Sequence, residues 1–165
     1  MVLFKGSLVH TAGELPHIHS QAPDFRLVNA DLQDVTLHDF KGKRKLLATV
    51  PSLDTGVCST MTKHLNEFAA KHAHVRIIVV SADLPFAQKR FCGMENVHHV
   101  STLSMMRSKD FGKAYGVLLT DGPLAGLLAR ALFVLDEKDR IIYTQLVSEI
   151  THEPNYPDAL KEVLK

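Results

Sequence analysis

Cysteine is scarce in these 165 residues: only Cys58 and Cys92 occur, too few to staple a secreted scaffold, and a chain of this length has no need of staples. Long apolar runs are missing too, since none approaches the roughly 18 residues of a membrane-spanning helix. Charge of one sign is absent. Nineteen Lys plus Arg face eighteen Asp plus Glu, a formal net charge of +1, so no strong field draws the chain to nucleic acid or to an anionic membrane. Glycine (9) and proline (7) are too few and too scattered for a fibrous repeat or a low-complexity tract. The start, Met1 to Gly6, lacks the basic residues and apolar stretch of a secretory signal, so a cytoplasmic protein is expected. What is present is ordinary for a folded protein: 45% hydrophobic and 22% charged residues, consistent with one domain over 1–165.

Periodicity then divides the chain. Residues 2–10 and 14–28 read as a peripheral hairpin around Gly6 and a covering loop. Leu46 to Val50 is a short apolar strand that stops at Pro51, and Val75 to Ser81 is a β-branched run suited to a strand buried on both faces. Between them, Cys58, Met61, Leu65, Phe68, Ala69 and His72 recur at spacings of three and four, which predicts a helix over 58–72 and a βαβ unit. Pro85 opens a helix to Phe91, with Gly93 as its cap and Cys92 at its end. Further on come a strand at 99–103, a short helix at 109–115 closed by Gly116, strands at 131–135 and 140–147 joined by a polar turn, and a closing helix at 155–164. A parallel βαβ half followed by an antiparallel hairpin and a final helix is the thioredoxin-like arrangement: an α/β fold with a central mixed sheet flanked by helices. A flavodoxin-like sheet also fits this order of elements.

The connection Pro51-Ser52-Leu53-Asp54-Thr55-Gly56-Val57-Cys58 places a thiol in the first turn of the predicted helix. Free N–H groups and the helix macrodipole favour an anion there by about 0.3 to 2 kcal/mol, and about 1.4 kcal/mol corresponds to one pKa unit. A thiol of ordinary pKa, about 8.5, is only a few per cent thiolate at neutral pH, so a nearby cation would help. Thr55 can aim its hydroxyl at the same anion pocket, and Pro51 stiffens the turn. A buried, inert cysteine on the apolar face is the competing reading. A phosphatase-type loop would need an arginine six residues after the cysteine, where this chain has His64.

Other features carry less. His17, His19, His98 and His99 show no zinc-type spacing, so no metal is expected. The basic run Lys41, Lys43, Arg44, Lys45 reads as a solvated edge, and Leu124 to Leu132 as a helix and strand packing into the core.

Pro51, Thr55 and Cys58 resemble, in type and spacing, the proline, threonine and peroxidatic cysteine of the peroxiredoxins. Three blocks, PSLDTGVC (51–58), SADLPFAQKRFCG (81–93) and DGPLAGLLARA (121–131), are similar to those of the bacterial thiol peroxidases, the atypical two-cysteine branch; the likeness runs from about Phe4 to Val163. The resemblance implies a thiol-dependent peroxidase that reduces hydrogen peroxide and organic hydroperoxides. It makes Cys58 the peroxidatic nucleophile, Cys92 the resolving cysteine in an intrachain disulfide, Thr55 and Arg130 the activating pair and Pro51 the shield of the pocket. It also implies a bacterial, cytoplasmic homodimer recycled by thioredoxin, with neither metal nor flavin. Val50 departs from the pattern, since a larger aromatic residue is expected before the proline. A peroxide-sensing switch or holdase on the same fold is the alternative reading.

Overall fold

The computed structural model describes all 165 residues. Its frame is a seven-stranded mixed sheet. Two strands of the βαβ unit, β6 (Lys45–Thr49) and β7 (Arg76–Ser81), run parallel at its centre, and β8 (Ser101–Ser104) continues the parallel set. On one side β10 (Ala131–Leu135) and β11 (Ile141–Leu146) add an antiparallel hairpin; on the other, β4 (Arg26–Val28) and β5 (Asp34–Thr36) add a second one. The strand order is β11-β10-β6-β7-β8-β4-β5. Antiparallel pairs on both edges of a short parallel centre make this thioredoxin-like rather than flavodoxin-like.

Alternation along the central strands splits the core into two layers, as period two requires. Leu47, Ile78, Val80, Ala131 and Phe133 face one layer, which is closed by α3 (Asp110–Ala114) and the N-terminal segments. Leu46, Ala48, Ile77, Val79, Leu132 and Val134 face the other, covered by α1 (Gly56–Lys71) and α4 (Tyr156–Leu164), with Phe91 of α2 (Pro85–Met94) at its margin. The buried stripe of α1, Cys58, Met61, Leu65 and Ala69, is the one its three-and-four spacing predicts.

Outside the main sheet, β1 (Val2–Phe4) and β2 (Ser7–Val9) form the expected hairpin. Its two-residue turn has Lys5 at φ 50° and Gly6 at φ 78°, the left-handed pair that matches strand twist in a type I′ turn. Strands β3 (Thr11–Ala12) and β9 (Leu118–Leu119) pair below it.

Four expectations are corrected. Residues 26–28 are not part of a covering loop but a strand of the main sheet, and β5 was not foreseen; three-residue strands are too short to show a period. Gly93 lies within α2, which runs on to Met94, and the left-handed residue after the helix is Asn96 (φ 54°). No helix forms at 124–130: Gly122 and Gly126 take left-handed φ, and the segment instead bonds its backbone to residues 117–119. Lys45 is no solvated edge; it is fully buried, with its ammonium donating to the Lys43 carbonyl at 2.7 Å and to the Asp139 carboxylate.

Candidate active site

The site begins where β6 ends. After Thr49 the chain passes through Pro51 and a turn in which Thr55 N–H donates to the Ser52 carbonyl at 3.2 Å, and α1 starts with Thr55 as its N-cap residue in extended conformation. Thr55 makes no side-chain capping bond, and no acidic residue stands in the first turn. The first N–H groups of α1 therefore keep their donor capacity for an anion. Cys58 occupies the third helical position and is fully buried.

Arg130 arrives from the neighbouring strand. Residues 131 and 49 are paired in register, and the Thr49 hydroxyl donates to the Ala129 carbonyl at 2.7 Å, so the residue between them is fixed beside the β6 end. The alternation that sends Leu132 and Val134 to the α1 layer sends Arg130 there too, although it is charged and only 2% exposed. Its Nη2 approaches the Cys58 sulfur at 3.4 Å, Nη1 the Met61 sulfur at 3.6 Å, and Nε donates to the Ile150 carbonyl at 3.0 Å. This guanidinium is buried, has no carboxylate partner, and sets a fixed positive charge and an N–H donor against the Cys58 sulfur.

Pro51, Thr55 and Arg130 share the wall of one cleft of about 390 Å³, whose other side is apolar: Phe4, Leu124 and Ile150. The structure thus brings four of the five predicted residues together: Pro51, Thr55 and Arg130 on the wall, and Cys58 behind it against Arg130. The Thr55 hydroxyl differs from expectation. It lies 3.2 Å from the Ser52 carbonyl, to which it donates, so its lone pairs are left as acceptors. Val50 does not line the cleft; it is fully buried in the core with Leu53 and Met61, so its departure from the family pattern alters packing behind the thiol rather than the cleft wall.

Cys92 stands apart, near the end of α2. Its sulfur is 3.8 Å from the Thr102 hydroxyl on β8, and it borders a different cleft with Lys89, Val97 and Thr102. Burial raises its pKa, with the Thr102 hydroxyl opposing. Both cysteines are free thiols.

Sequence reasoning missed three supports of the site. The Ile150 carbonyl that holds Arg130 is one, and a backbone acceptor leaves no trace in residue type. The tie that holds the N-terminal hairpin to the cleft is the second: Glu149 accepts from the N–H groups of Lys5 and Gly6 at 3.1 and 3.0 Å, and Phe4 of that hairpin lines the cleft. Asp83 is the third, and the Ser-x-Asp pattern at 81–83 was the available signal.

A thiol at a helix start facing a buried arginine on this fold defines a thiol-based oxidoreductase. The comparisons narrow the class. The family profile described as Redoxin matches residues 18–160. A thiol peroxidase of Leptospira interrogans is 47% identical over 96% of this chain and 94% of its own length. Among solved structures, a peroxiredoxin-like protein from Aquifex aeolicus superposes with a TM-score of 0.93 at 44% identity, covering 99% of this chain and 95% of its own. A thiol peroxidase from Chromobacterium violaceum gives 0.91 at 25% identity, covering 99% and 94%. The chain belongs to the Redoxin family, and within it to the thiol peroxidases, which are peroxiredoxin enzymes.

Proposed function

We propose that the chain reduces hydrogen peroxide and organic hydroperoxides with Cys58 as nucleophile, Arg130 and Thr55 as its activating pair and Pro51 as the shield that narrows the approach. The observation that carries the reading is the 3.4 Å contact of the Arg130 guanidinium with the Cys58 sulfur. The thiolate attacks one oxygen of the O–O bond; the S–O bond forms, the O–O bond breaks, and the departing oxygen takes a proton and leaves as water or an alcohol. Negative charge moves from sulfur to that oxygen, so donors aimed at both lower the barrier more than they stabilise the bound peroxide. Arg130 supplies a fork of donors that stays charged, and Thr55, its proton committed to Ser52, can accept the peroxide O–H. The apolar wall of Phe4, Leu124 and Ile150 suits an alkyl group on the substrate.

Cys58 is left as a sulfenic acid. Cys92, the only other thiol, attacks it, releasing water and forming an intrachain disulfide that a dithiol such as thioredoxin reduces with two electrons. The single 1–165 domain, a homodimer and a cytoplasmic location complete the reading; no helix is long and apolar enough to cross a membrane, and sedimentation tests the dimer.

Stopped-flow oxidation with one equivalent of peroxide tests the assignment. Cys58→Ser should consume none, because an alcohol is almost wholly protonated at neutral pH and forms no sulfenic acid. Cys92→Ser should consume one equivalent and then fail to turn over with thioredoxin and its reductase. Peroxide consumption by the Cys58 variant would place the nucleophile elsewhere. A wild-type protein that is oxidised once and never recycled would be a switch, not a peroxidase.

A further inference from the structure

Six residues, 50–55, separate β6 from α1, and what fixes them is a carboxylate outside the cleft. Asp83 follows β7. Its Oδ1 accepts from the Ser52 hydroxyl at 2.7 Å, and its Oδ2 accepts from the Leu53 N–H at 2.7 Å and from the Ser81 hydroxyl at 2.8 Å. All three donors are neutral, and no cation pairs with this carboxylate within salt-bridge distance, so it serves geometry rather than charge neutralisation. Asp83 is itself held: its carbonyl accepts from the Ser104 hydroxyl at 2.6 Å, and Ser81 receives a second bond from Gln88 Nε2 at 3.0 Å.

The tether leads to the reacting side of the cleft in two steps. Ser52, gripped through its side chain by Asp83, presents its carbonyl to both the N–H and the hydroxyl of Thr55, each at 3.2 Å. The direction of the Thr55 lone pairs is therefore set by Ser52, and the position of Ser52 by Asp83. The buried Leu53 next to it, 2% exposed, has its backbone N–H taken by the same carboxylate, so the turn is pinned at two consecutive residues.

We propose that Asp83 is a positioning residue for the peroxide step, acting through Ser52 to hold Thr55 as an acceptor at the start of α1. The proposal rests on Cys58 and Thr55 acting as described above. Asp83 borders neither the cleft nor Cys58, so its removal leaves the nucleophile and its arginine in place but releases the partner that orients the peroxide. Near-attack geometry is sensitive to displacements of an ångström or less.

The test compares wild type, Asp83→Asn, Ser52→Ala and the double variant. The second-order phase of Cys58 oxidation is read from its dependence on cumene hydroperoxide concentration, and the rate of Cys58 alkylation by iodoacetamide is measured on the same samples. Alkylation needs the thiolate but no acceptor for a peroxide O–H, which is the part of Thr55 under test. Asp83→Asn puts an amide where three donors converge and should lower the peroxide rate constant about ten- to a hundredfold while alkylation stays within about twofold. Ser52→Ala should move in the same direction by less, and the double variant should fall no further than Asp83→Asn, as expected of residues acting through one bond. If Asp83→Asn does not fold, the same split in Ser52→Ala decides the matter. A peroxide rate within about twofold of wild type, or equal losses in peroxide oxidation and alkylation, would overturn the proposal. Cys58→Ser, run alongside, separates the two failures: peroxide consumption without Cys58 would sink the site assignment, whereas an inert Cys58→Ser with unchanged Asp83→Asn would sink only the role of Asp83.

Discussion

The Arg130 guanidinium stands 3.4 Å from the Cys58 sulfur while its Nε is tied to the Ile150 carbonyl at 3.0 Å, so the cation cannot follow the thiol if the thiol moves. A fixed charge gives the strongest stabilisation at one position of the sulfur.

Removing that charge should be costly at the chemical step. Arg130→Ala is expected to slow Cys58 oxidation by about 30- to 1,000-fold, the equivalent of about 2 to 4 kcal/mol for one transition-state donor. Arg130→Lys keeps a charge but not the fork that spans Ile150, Met61 and Cys58, so it should recover only part of the rate. Stopped-flow rates measure both variants; a near-wild-type rate in Arg130→Ala would show that the guanidinium is structural.

Acid should loosen the hairpin before it unfolds the sheet. Hydrogen bonds from the N–H groups of Gly6 and Thr151 pull the Glu149 carboxyl from 4.5 down to about 2. A carboxyl depressed on folding contributes its full stabilisation above its unfolded pKa and loses it as pH falls from about 4.5 toward 2. Amide exchange at Lys5 and Gly6 should accelerate through that window, with β6 and β7 still protected. Glu149→Gln should expose the same amides at neutral pH and raise KM for alkyl hydroperoxides, because Phe4 and Lys5 line the cleft. Unchanged protection of residues 3–8 in that variant would mean that the β1 backbone bonds to Ser148 and Ile150 suffice.

Most of this architecture was legible in the pattern of residues. The run at 75–81 and the three-and-four spacing from Cys58 define β7 and α1 because each element buries a long, regular face. Pro51, Thr55 and Cys58 stood out for a different reason: they surround a predicted helix start, and their roles were implied by the family resemblance. What escaped depends on partners far away in sequence. Nothing in the short strands β4 and β5 announces membership of the main sheet, and Lys45 reads as surface until Asp139, 94 residues away, is seen to neutralise it. Arg130 became legible only through its resemblance, since an arginine before a buried strand usually ends in solvent.

The Lys45 pair yields a stability prediction independent of catalysis. Asp139 sits at φ 61°, so Asn is the substitution that keeps its backbone comfortable while deleting the charge. Asp139→Asn leaves a fully buried ammonium without its counter-ion and should cost about 3 kcal/mol in denaturant unfolding. Lys45→Met should cost less, because the Asp139 side chain is 16% exposed and can find water. Equal, small losses in both would mean the ammonium escapes to solvent when its partner is lost.

The last prediction concerns motion between the two cysteines. A disulfide, with S–S about 2 Å and Cβ atoms about 3.5–4.5 Å apart, is geometrically restrictive, and here Cys58 is fully buried at the start of α1 while Cys92 turns toward Thr102 and another cleft. The proposed intrachain disulfide would therefore require backbone hydrogen bonds to break in α1 or in α2. The packing decides between them. Cys58, Met61 and Leu65 of α1 are each 0% exposed, so opening that helix uncovers the centre of a core layer. On α2, Phe86 is 66% and Met94 75% exposed, Leu84 just before it is 54% exposed, and Phe91 is the only large apolar side chain buried. Gln88, also buried there, has an Oε1 with no hydrogen-bond partner, a polar atom that gains water when the helix opens. Local unfolding of α2 is the cheaper route. Hydrogen–deuterium exchange on the reduced and disulfide forms should show protection lost from Pro85 to Met94, with residues 65–71 unchanged. Equal protection of 85–94 in the two states, with 55–62 opened instead, would assign the motion to α1.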